Sequence, residues 1–288
     1  MNPLALIVHG GAWTVPPELE EQCRQGARRA LDRGWAVLRD GGSAIDACEQ
    51  AIVDLEEDPV FDAGIGSHLN RDGNAQLDAI LMDGVSLKSG AVACVERIRN
   101  PIRAARLILE RSEHMFFAGY GAEQFAAQHG IPLCEPAIFR IPSEVDRWRK
   151  DGGQLGTVGA AALDGNGNIA AGTSTGGTPF KQPGRVGDSP LIGCGCYADN
   201  EGAAVSSTGH GESVMKIVMA KMVNDLVAAG RSPQQAAGEA IAHLGTRTNG
   251  RAGLIVLDRQ GRVGAAYSTE NLVHAYRTSF QSAPVVIV

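Results

Sequence analysis

The chain has 288 residues, of which 44% are hydrophobic and 20% are charged, a composition typical of a globular protein with a sizeable core. The net charge of -6 argues against the surplus of Lys and Arg that phosphate binding requires, so we expect no nucleic-acid partner. No stretch approaches the eighteen apolar residues of a membrane span, and no charged segment precedes the first apolar run, so we expect a cytoplasmic protein with no membrane partner.

The first part of the chain predicts one strand followed by two helices. A short apolar run at 4–8 predicts the strand, and apolar residues at three-to-four spacing predict a helix over 18–39. Gly41 and Gly42 end that helix. Ser43, with Asp46 three residues later, resembles the capping box of a second helix.

The middle of the chain predicts a strand over 75–84, two helices over 90–111 broken at Asn100 and Pro101, and a helix over 119–129. Residues 134–156 lack periodicity and contain several Pro and Gly residues, which predicts a linker. That linker ends at Thr157.

After Thr157 the pattern changes to short strands between Gly-rich turns, at 157–164, 168–177 and 202–209. Helical spacing follows over 212–229 and 233–244, and two strands are predicted at 254–258 and 263–269. Strands and helices do not alternate as they do in a doubly wound fold. The sequence therefore predicts an α+β fold with segregated sheets.

Six cysteines are scattered without metal-ligand spacing, which predicts buried or inert thiols in a reducing compartment. Cys194 and Cys196 form a C-x-C, and on a strand both would pack on the same face. The motifs of serine-hydrolase elbows, zinc proteases, phosphate loops and dinucleotide folds are absent from the sequence. The remaining candidates for chemistry are three Thr residues at the ends of Gly-rich strands, Thr157, Thr175 and Thr208. Taken alone, each of them is typical of an ordinary β-strand.

Six motifs surround these residues and follow one another along the chain. They are HGGA at 9–12, DGGSAIDA at 40–47, GTVGA at 156–160, TSTGG at 173–177, PGRVGDSP at 183–190 and STGHGE at 207–212. Together they resemble the plant-type L-asparaginase and isoaspartyl peptidase family of N-terminal-nucleophile (Ntn) hydrolases. The resemblance implies a four-layer αββα sandwich that cuts itself into fragments 1–156 and 157–288. It also implies hydrolysis of β-aspartyl dipeptides and L-asparagine, and pairing of two such heterodimers.

The resemblance further implies a set of site residues. The bond between Gly156 and Thr157 is cut, and Thr157 becomes the nucleophile. Thr175 and Thr208 supply supporting hydroxyl groups, and the Thr208 hydroxyl forms the oxyanion hole with the Gly209 amide. Arg185 and Asp188 form a substrate clamp, and Gly211 makes a further substrate contact.

The chemistry of these residue types agrees with those roles. A Thr hydroxyl needs a base, and a freed α-amine with a pKa of about 7.7 to 8.0 supplies one within the same residue. Before cleavage that nitrogen is an amide, so the cut is the activating step. Arg185 and Asp188 carry the two charges that hold a substrate with a free carboxylate and a free amine.

Asp62 stands in FDAGIG where the family typically has Asn, and the resemblance implies that this side chain lies close to the amine of the nucleophile. An ionised Asp62 there would raise the pKa of that amine. The competing interpretation is that Asp62 faces solvent or caps the following turn. Family members often hold a structural sodium through carbonyl groups of the loop between Leu55 and Ile65, and no other cofactor is expected.

Two alternatives stay open at this point. The Gly-rich turns could hold a phosphate or nucleotide in a non-catalytic binding protein, or the chain could be a glycosylasparaginase-like amidohydrolase. Among the histidines, His9 is expected to shape a turn under the site. His210 is expected to have a structural role, because an N-terminal amine makes a second base redundant.

Overall fold

The computed structural model describes residues 2–150 and 156–288. The helices of these ranges are α1 (Pro17–Arg39), α2 (Ala44–Glu57), α3 (Pro101–Arg111), α4 (Gly119–Gln128), α5 (Pro142–Arg149), α6 (Gly211–Ile217), α7 (Met219–Ala228) and α8 (Pro233–Thr248). The strands are β1 (Ala5–His9), β2 (Leu77–Asp83), β3 (Ser89–Val95), β4 (Phe116–Ala118), β5 (Val158–Leu163), β6 (Ile169–Thr175), β7 (Cys196–Ala198), β8 (Ala203–Gly209), β9 (Ala252–Asp258), β10 (Val263–Tyr267), β11 (His274–Thr278) and β12 (Val285–Ile287).

Within the described ranges the strands form two sheets. The larger sheet has the order β12-β11-β1-β5-β6-β2-β3-β4, and the smaller has the order β10-β9-β8-β7. Strand β5 lies between β1 and β6, with Gly159 opposite His9 and Val158 opposite Ser174. The residue that precedes β5 therefore lies at the end of a central strand, where both neighbours restrain the backbone.

Alternation along the strands divides the core into three apolar clusters. In β1, Leu6 and Val8 pack towards α1 and α2, whereas Ile7 packs towards the smaller sheet. The third cluster lies between the smaller sheet and helices α7 and α8. Helices α1 and α2 approach closely because Gly34 has no side chain: an added Cβ would lie 2.8 Å from the carbonyl oxygen of Ala47. The result is a mixed α+β protein in which both sheets are covered by helices.

Most of the predicted elements are confirmed. These are β1, α1, α2, β2, α3, α4, β5, β6, β8, α8, β9 and β10. Helix α2 begins with the predicted capping box, in which the Ser43 side chain accepts from Asp46 N and the Asp46 carboxylate accepts from Ser43 N. The segregation of the strands into two sheets is confirmed as well.

The predicted helix over 90–99 is wrong. Residues 89–95 form β3, in which Val92 lies opposite Ala79 of β2. Sheet pairing outweighs the helix propensity of the alanines in this segment. The helix predicted over 212–229 is interrupted at Val218, which has a φ of 50° and separates α6 from α7.

The linker predicted over 134–156 is wrong in part, because residues 142–149 form α5. Residues 151–155 of that linker lie outside the described residues. The C-x-C prediction is also wrong in part: Cys196 is buried in β7, whereas Cys194 lies in the turn before it. None of the helices in 2–150 and 156–288 combines the length and apolar character that a membrane crossing needs.

Candidate active site

Thr157 lies directly before β5 and is 4% exposed. Its hydroxyl Oγ1 is 2.5 Å from the carbonyl oxygen of Gly156 and 3.1 Å from Oγ1 of Thr175. Oγ of Ser189 lies 3.5 Å from Oγ1 of Thr157. The hydroxyl is therefore buried among other hydroxyl groups and next to the peptide group that precedes it.

Thr175, at the end of β6, contacts this hydroxyl. Its Oγ1 donates to the carbonyl oxygen of Gly156 at 3.2 Å and accepts from the backbone N–H of Gly177 at 2.8 Å. The Thr175 hydroxyl is thus fixed from two sides. It orients the carbonyl group of Gly156 and the hydroxyl of Thr157 at the same time.

Thr208 and Gly209 lie at the end of β8 in the smaller sheet. The Thr208 hydroxyl accepts from the backbone N–H of Ala12 at 3.2 Å, which ties β8 to the HGGA turn. In the same turn, a Cβ added to Gly11 would lie 3.5 Å from the backbone nitrogen of Thr157. One turn therefore separates the Thr208 hydroxyl from Thr157. Gly209 has a φ of 135°, and an added Cβ would lie 2.5 Å from Cα of Ala252, so no larger residue fits there.

Arg185, Asp188 and Gly211 meet at one place. A Cβ added to Gly211 would lie 2.8 Å from both Nη2 of Arg185 and Oδ1 of Asp188. Arg185 donates through Nε and Nη2 to the two carboxylate oxygens of Glu212, at 2.9 and 2.8 Å. The bidentate pair holds the guanidinium plane beside Gly211, so the two predicted clamp residues lie together with the predicted substrate contact Gly211.

Asp188 is 4% exposed, and among the described residues its Oδ2 has no hydrogen-bond partner. Burial raises the pKa of Asp188 to about 7, although the nearby Arg185 guanidinium acts in the opposite direction. A buried carboxylate with an unpaired oxygen beside a fixed guanidinium is suited to receive an ammonium group. Ser189, the next residue, joins this clamp to Thr157 through the 3.5 Å contact of their hydroxyls.

Asp62 is buried rather than solvent-facing, so that part of the competing interpretation is wrong. Its Oδ1 accepts from the backbone N–H of His68 at 2.9 Å, which does cap the following turn. Its side chain also lies against Gly156, where an added Cβ would be 2.6 Å from the Asp62 Cβ. Burial raises the pKa of Asp62 to about 6, while His68 acts in the opposite direction. The effect of Asp62 on the amine of Thr157 stays a prediction.

His9 and His210 each contact a serine hydroxyl. His9 is fully buried, its Nε2 lies 2.7 Å from Oγ of Ser206, and burial lowers its pKa to about 3. A neutral His9 therefore joins the two sheets below Thr157. His210 is half-exposed and its Nδ1 lies 2.8 Å from Oγ of Ser213 at the start of α6.

Sequence reasoning did not assign roles to Ser189, Glu212 or Lys181, which also belong to this region. Ser189 and Glu212 stand inside the quoted motifs, and that proximity was the available signal. Lys181 is 4% exposed, donates to the carbonyl oxygen of Gln76 at 2.7 Å, and would lie 2.9 Å from a Cβ on Gly177. Nothing in its local sequence distinguishes it from a surface lysine.

The chain is similar to known proteins over nearly its whole length. The model of the family described as Asparaginase matches residues 1–287. The isoaspartyl peptidase/L-asparaginase of Xenopus laevis is 42% identical over 282 residues, which cover 94% of this chain and 91% of that protein. The human protein of the same name is also 42% identical and covers 94% and 92%. The isoaspartyl peptidase of Escherichia coli strain K12 is 39% identical and covers 96% and 93%.

Proposed function

Since the chain belongs to the asparaginase family, we propose that it is an N-terminal threonine hydrolase that releases L-aspartate from β-aspartyl dipeptides and L-asparagine. The observation that carries the proposal is the position of the Thr157 hydroxyl. It lies beside the carbonyl group of Gly156 on one side and, through Ser189, beside the Asp188 and Arg185 clamp on the other. One hydroxyl thus faces both the bond to be cut in the chain and the site for a charged substrate.

In the self-cleavage step, Oγ1 of Thr157 attacks the carbonyl carbon of Gly156, and the bond from that carbon to the Thr157 nitrogen breaks. The nitrogen takes up the hydroxyl proton and becomes an amine. Water then hydrolyses the resulting ester, which yields the Gly156 carboxylate and a free Thr157 hydroxyl. The products are fragments 1–156 and 157–288.

In the hydrolytic reaction, the Thr157 amine takes the proton from its own hydroxyl, which attacks the side-chain carbonyl carbon of the substrate. The Thr208 hydroxyl and the Gly209 amide donate to the oxyanion that forms. The leaving amine or ammonia departs with the proton from the Thr157 ammonium, and water hydrolyses the acyl-enzyme to aspartate. Arg185 binds the free carboxylate of the substrate, and Asp188 binds its ammonium group.

Purified protein tests the proposal directly. A denaturing gel is expected to show two fragments, with Thr157 as the first residue of the smaller one by N-terminal sequencing. The same sample is expected to release aspartate from a β-aspartyl dipeptide and from L-asparagine. A fully active chain that stays whole would contradict the mechanism, and a cut chain that hydrolyses neither substrate would contradict the activity.

The raised pKa of Asp188 predicts a pH dependence of substrate binding. Below about pH 7 the buried carboxyl of the free enzyme is protonated and attracts the substrate ammonium less, so KM is expected to rise as pH falls. Well below pH 7, KM is expected to rise by about tenfold for each unit by which the pH falls, since each unit changes the ionised fraction of Asp188 about tenfold. Steady-state kinetics from pH 5.5 to 8.5 measure it. The variant Asp188→Asn is the control, and a wild-type KM that does not vary across this range would contradict the role of Asp188.

We also propose a structural sodium in the loop between Leu55 and Ile65. Among the described residues no group of His, Cys, Asp or Glu side chains is arranged to hold a metal ion, and we propose backbone carbonyl groups as the ligands in this loop. The loop forms a cradle that a side chain would fill: Cβ atoms added to Gly64 and Gly66 would lie 2.2 and 2.1 Å from the carbonyl oxygens of Glu56 and Phe61. Oxygen ligands suit a hard cation.

Exchange of sodium for choline at constant ionic strength tests this site. The melting temperature is expected to fall, because a bound ion at 100 times its Kd stabilises the folded state by about 2.7 kcal/mol. Melting temperatures that agree in the two salts would contradict a sodium site.

The remaining proposals concern the architecture and setting of the protein. The packing of helices on both outer faces of the two sheets supports an αββα sandwich of the Ntn-hydrolase type. The unpaired state of the six cysteines supports a reducing, cytoplasmic location.

We propose that two heterodimers pair, with the exposed apolar residues Phe116 and Tyr120 as one candidate surface. Light scattering should then give twice the mass of one chain.

A further inference from the structure

A buried row of polar side chains joins helix α5 to Gly156. Glu144 of α5 is 2% exposed, and its Oε2 lies 2.8 Å from Nδ1 of His68. The other ring nitrogen of His68 lies 3.9 Å from Oδ2 of Asp62. The Asp62 side chain lies against Gly156, as the 2.6 Å approach to an added Cβ shows. Three side chains thus connect α5 with the bond that precedes Thr157.

Helix α5 is fixed where it makes this connection. The indole Nε1 of Trp148 donates to the carbonyl oxygen of Asn70 at 2.9 Å, and Arg147 pairs with the Glu144 carboxylate. The cavity left between α5 and the residues around His68 and Phe180 measures about 10 Å³, close to the lower limit for a single water molecule. The helix therefore packs closely on the loop that carries His68.

The His68 ring has a defined orientation in this row. A carboxylate can only accept hydrogen bonds, so the Nδ1 atom next to Glu144 carries a proton. That bond turns the Nε2 side of the ring towards Asp62. The backbone N–H of His68 binds Oδ1 of the same carboxyl group at 2.9 Å. The backbone of His68 thus holds one oxygen of the Asp62 carboxyl by a hydrogen bond, while its ring faces the other oxygen at 3.9 Å.

We propose that His68 and Glu144 are positioning residues for self-cleavage: they hold Asp62 against Gly156 and so keep the carbonyl group of Gly156 beside the Thr157 hydroxyl. This inference rests on the proposed function. Helix α5 belongs to the fragment that ends at Gly156, so the segment being cut away helps to place its own end. The connection cannot be found in local sequence, because Glu144 and His68 are 76 residues apart.

The rate of self-cleavage tests the proposal. Full-length chains are made by cell-free synthesis with a brief radioactive pulse, and the loss of intact chain is followed on denaturing gels. Glu144→Ala and His68→Ala are each expected to slow cleavage by roughly tenfold or more, since a displacement of about 1 Å can cost about a hundredfold in rate. The double variant is expected to be no slower than the slower single variant, because both residues act through one contact.

Two further variants separate positioning from general damage. Glu144→Gln retains an oxygen that accepts from His68 Nδ1, and it is expected to recover cleavage to within about threefold of the wild-type rate. Asp146→Ala removes an exposed carboxylate from the same helix, where it pairs with Arg149 at 3.9 Å, and is expected to cleave at the wild-type rate. Melting temperatures are measured in chains that also carry Thr157→Ala, so that every chain compared is whole.

A Glu144→Ala chain that cuts at the wild-type rate would overturn the proposal. So would an Asp146→Ala chain whose cleavage is slowed as much as that of Glu144→Ala, or a folded Glu144→Gln chain whose cleavage stays slow. If Glu144→Ala unfolds at the assay temperature, His68→Asn takes its place, and a wild-type rate for that variant overturns the proposal equally. A wild-type chain that never cuts contradicts the proposed function itself. A wild-type chain and a Glu144→Ala chain that cut equally fast contradict this inference alone.

Discussion

Replacement of Thr157 by Ala is expected to leave the chain whole and to abolish hydrolysis. The substitution removes the hydroxyl that lies 2.5 Å from the Gly156 carbonyl oxygen, so the preceding bond has no attacking group. Without the cut, the nitrogen of residue 157 stays an amide and supplies no base. Loss of both nucleophile and base is expected to lower kcat by about six orders of magnitude, as loss of the nucleophile does in serine proteases. A denaturing gel and an aspartate-release assay measure the two effects.

Thr157→Ser is the matched control because it keeps the hydroxyl and removes one methyl group. This variant is expected to cut itself and to retain hydrolytic activity. A Thr157→Ala chain that still separates into two fragments at this position would show that another group attacks the bond. Thr175 and Ser189 are then the candidates, since their hydroxyls lie 3.1 and 3.5 Å from that of Thr157.

Replacement of Arg185 by Ala is expected to damage hydrolysis far more than self-cleavage. In the proposed mechanism the guanidinium binds the free α-carboxylate of an external substrate, whereas Gly156 has no free α-carboxylate before the chain is cut. A charge-assisted pair lost from a buried site costs about 2 to 5 kcal/mol, which corresponds to a fall in kcat/KM of roughly 30-fold to 5,000-fold. Arg185 also pairs with Glu212, so its removal leaves a second carboxylate that repels the substrate.

Arg231→Ala is the matched control for this change. Arg231 forms an exposed ion pair with Glu239 at 2.8 Å, away from the clamp, and surface pairs of this kind contribute little to stability. The control is expected to retain the wild-type kcat/KM. If Arg185→Ala also retained it, the clamp would have to lie elsewhere.

The parts of the fold that could be predicted from the sequence have strong local signals. The capping box of Ser43 and Asp46 marks the start of α2, and the Gly-rich turns mark the strands after Thr157. Strand β3 was not predicted because Ala91 and Ala93 favour a helix in isolation. Its conformation depends on β2, which is its partner across the sheet. The short edge strands β4 and β12 have too few residues for any period to be recognised.

The candidate site also has parts that the sequence predicts and parts that it does not. Thr157, Thr175, Arg185 and Asp188 were predicted because each stands in a distinctive motif, and the structure places them together. The contact between Glu144 and His68 was not predicted, since neither residue stands in a motif that points to the other. Helix α5 was missed for a related reason: two prolines precede its exposed polar residues, and its buried face is too narrow to produce a clear apolar stripe.

The larger sheet interleaves the two fragments that a cut before Thr157 would produce. Strands β12 and β11 come from the second fragment, β1 from the first, β5 and β6 from the second again, and β2, β3 and β4 from the first. Neither fragment holds a contiguous half of this sheet, so each lacks partners for its central strands when alone. The uncut chain folds as one molecule. Two separated fragments would have to associate in a bimolecular reaction, in which strands of each fragment insert between strands of the other. Denaturation of the cut protein is therefore expected to be poorly reversible, because refolding would depend on concentration and compete with aggregation.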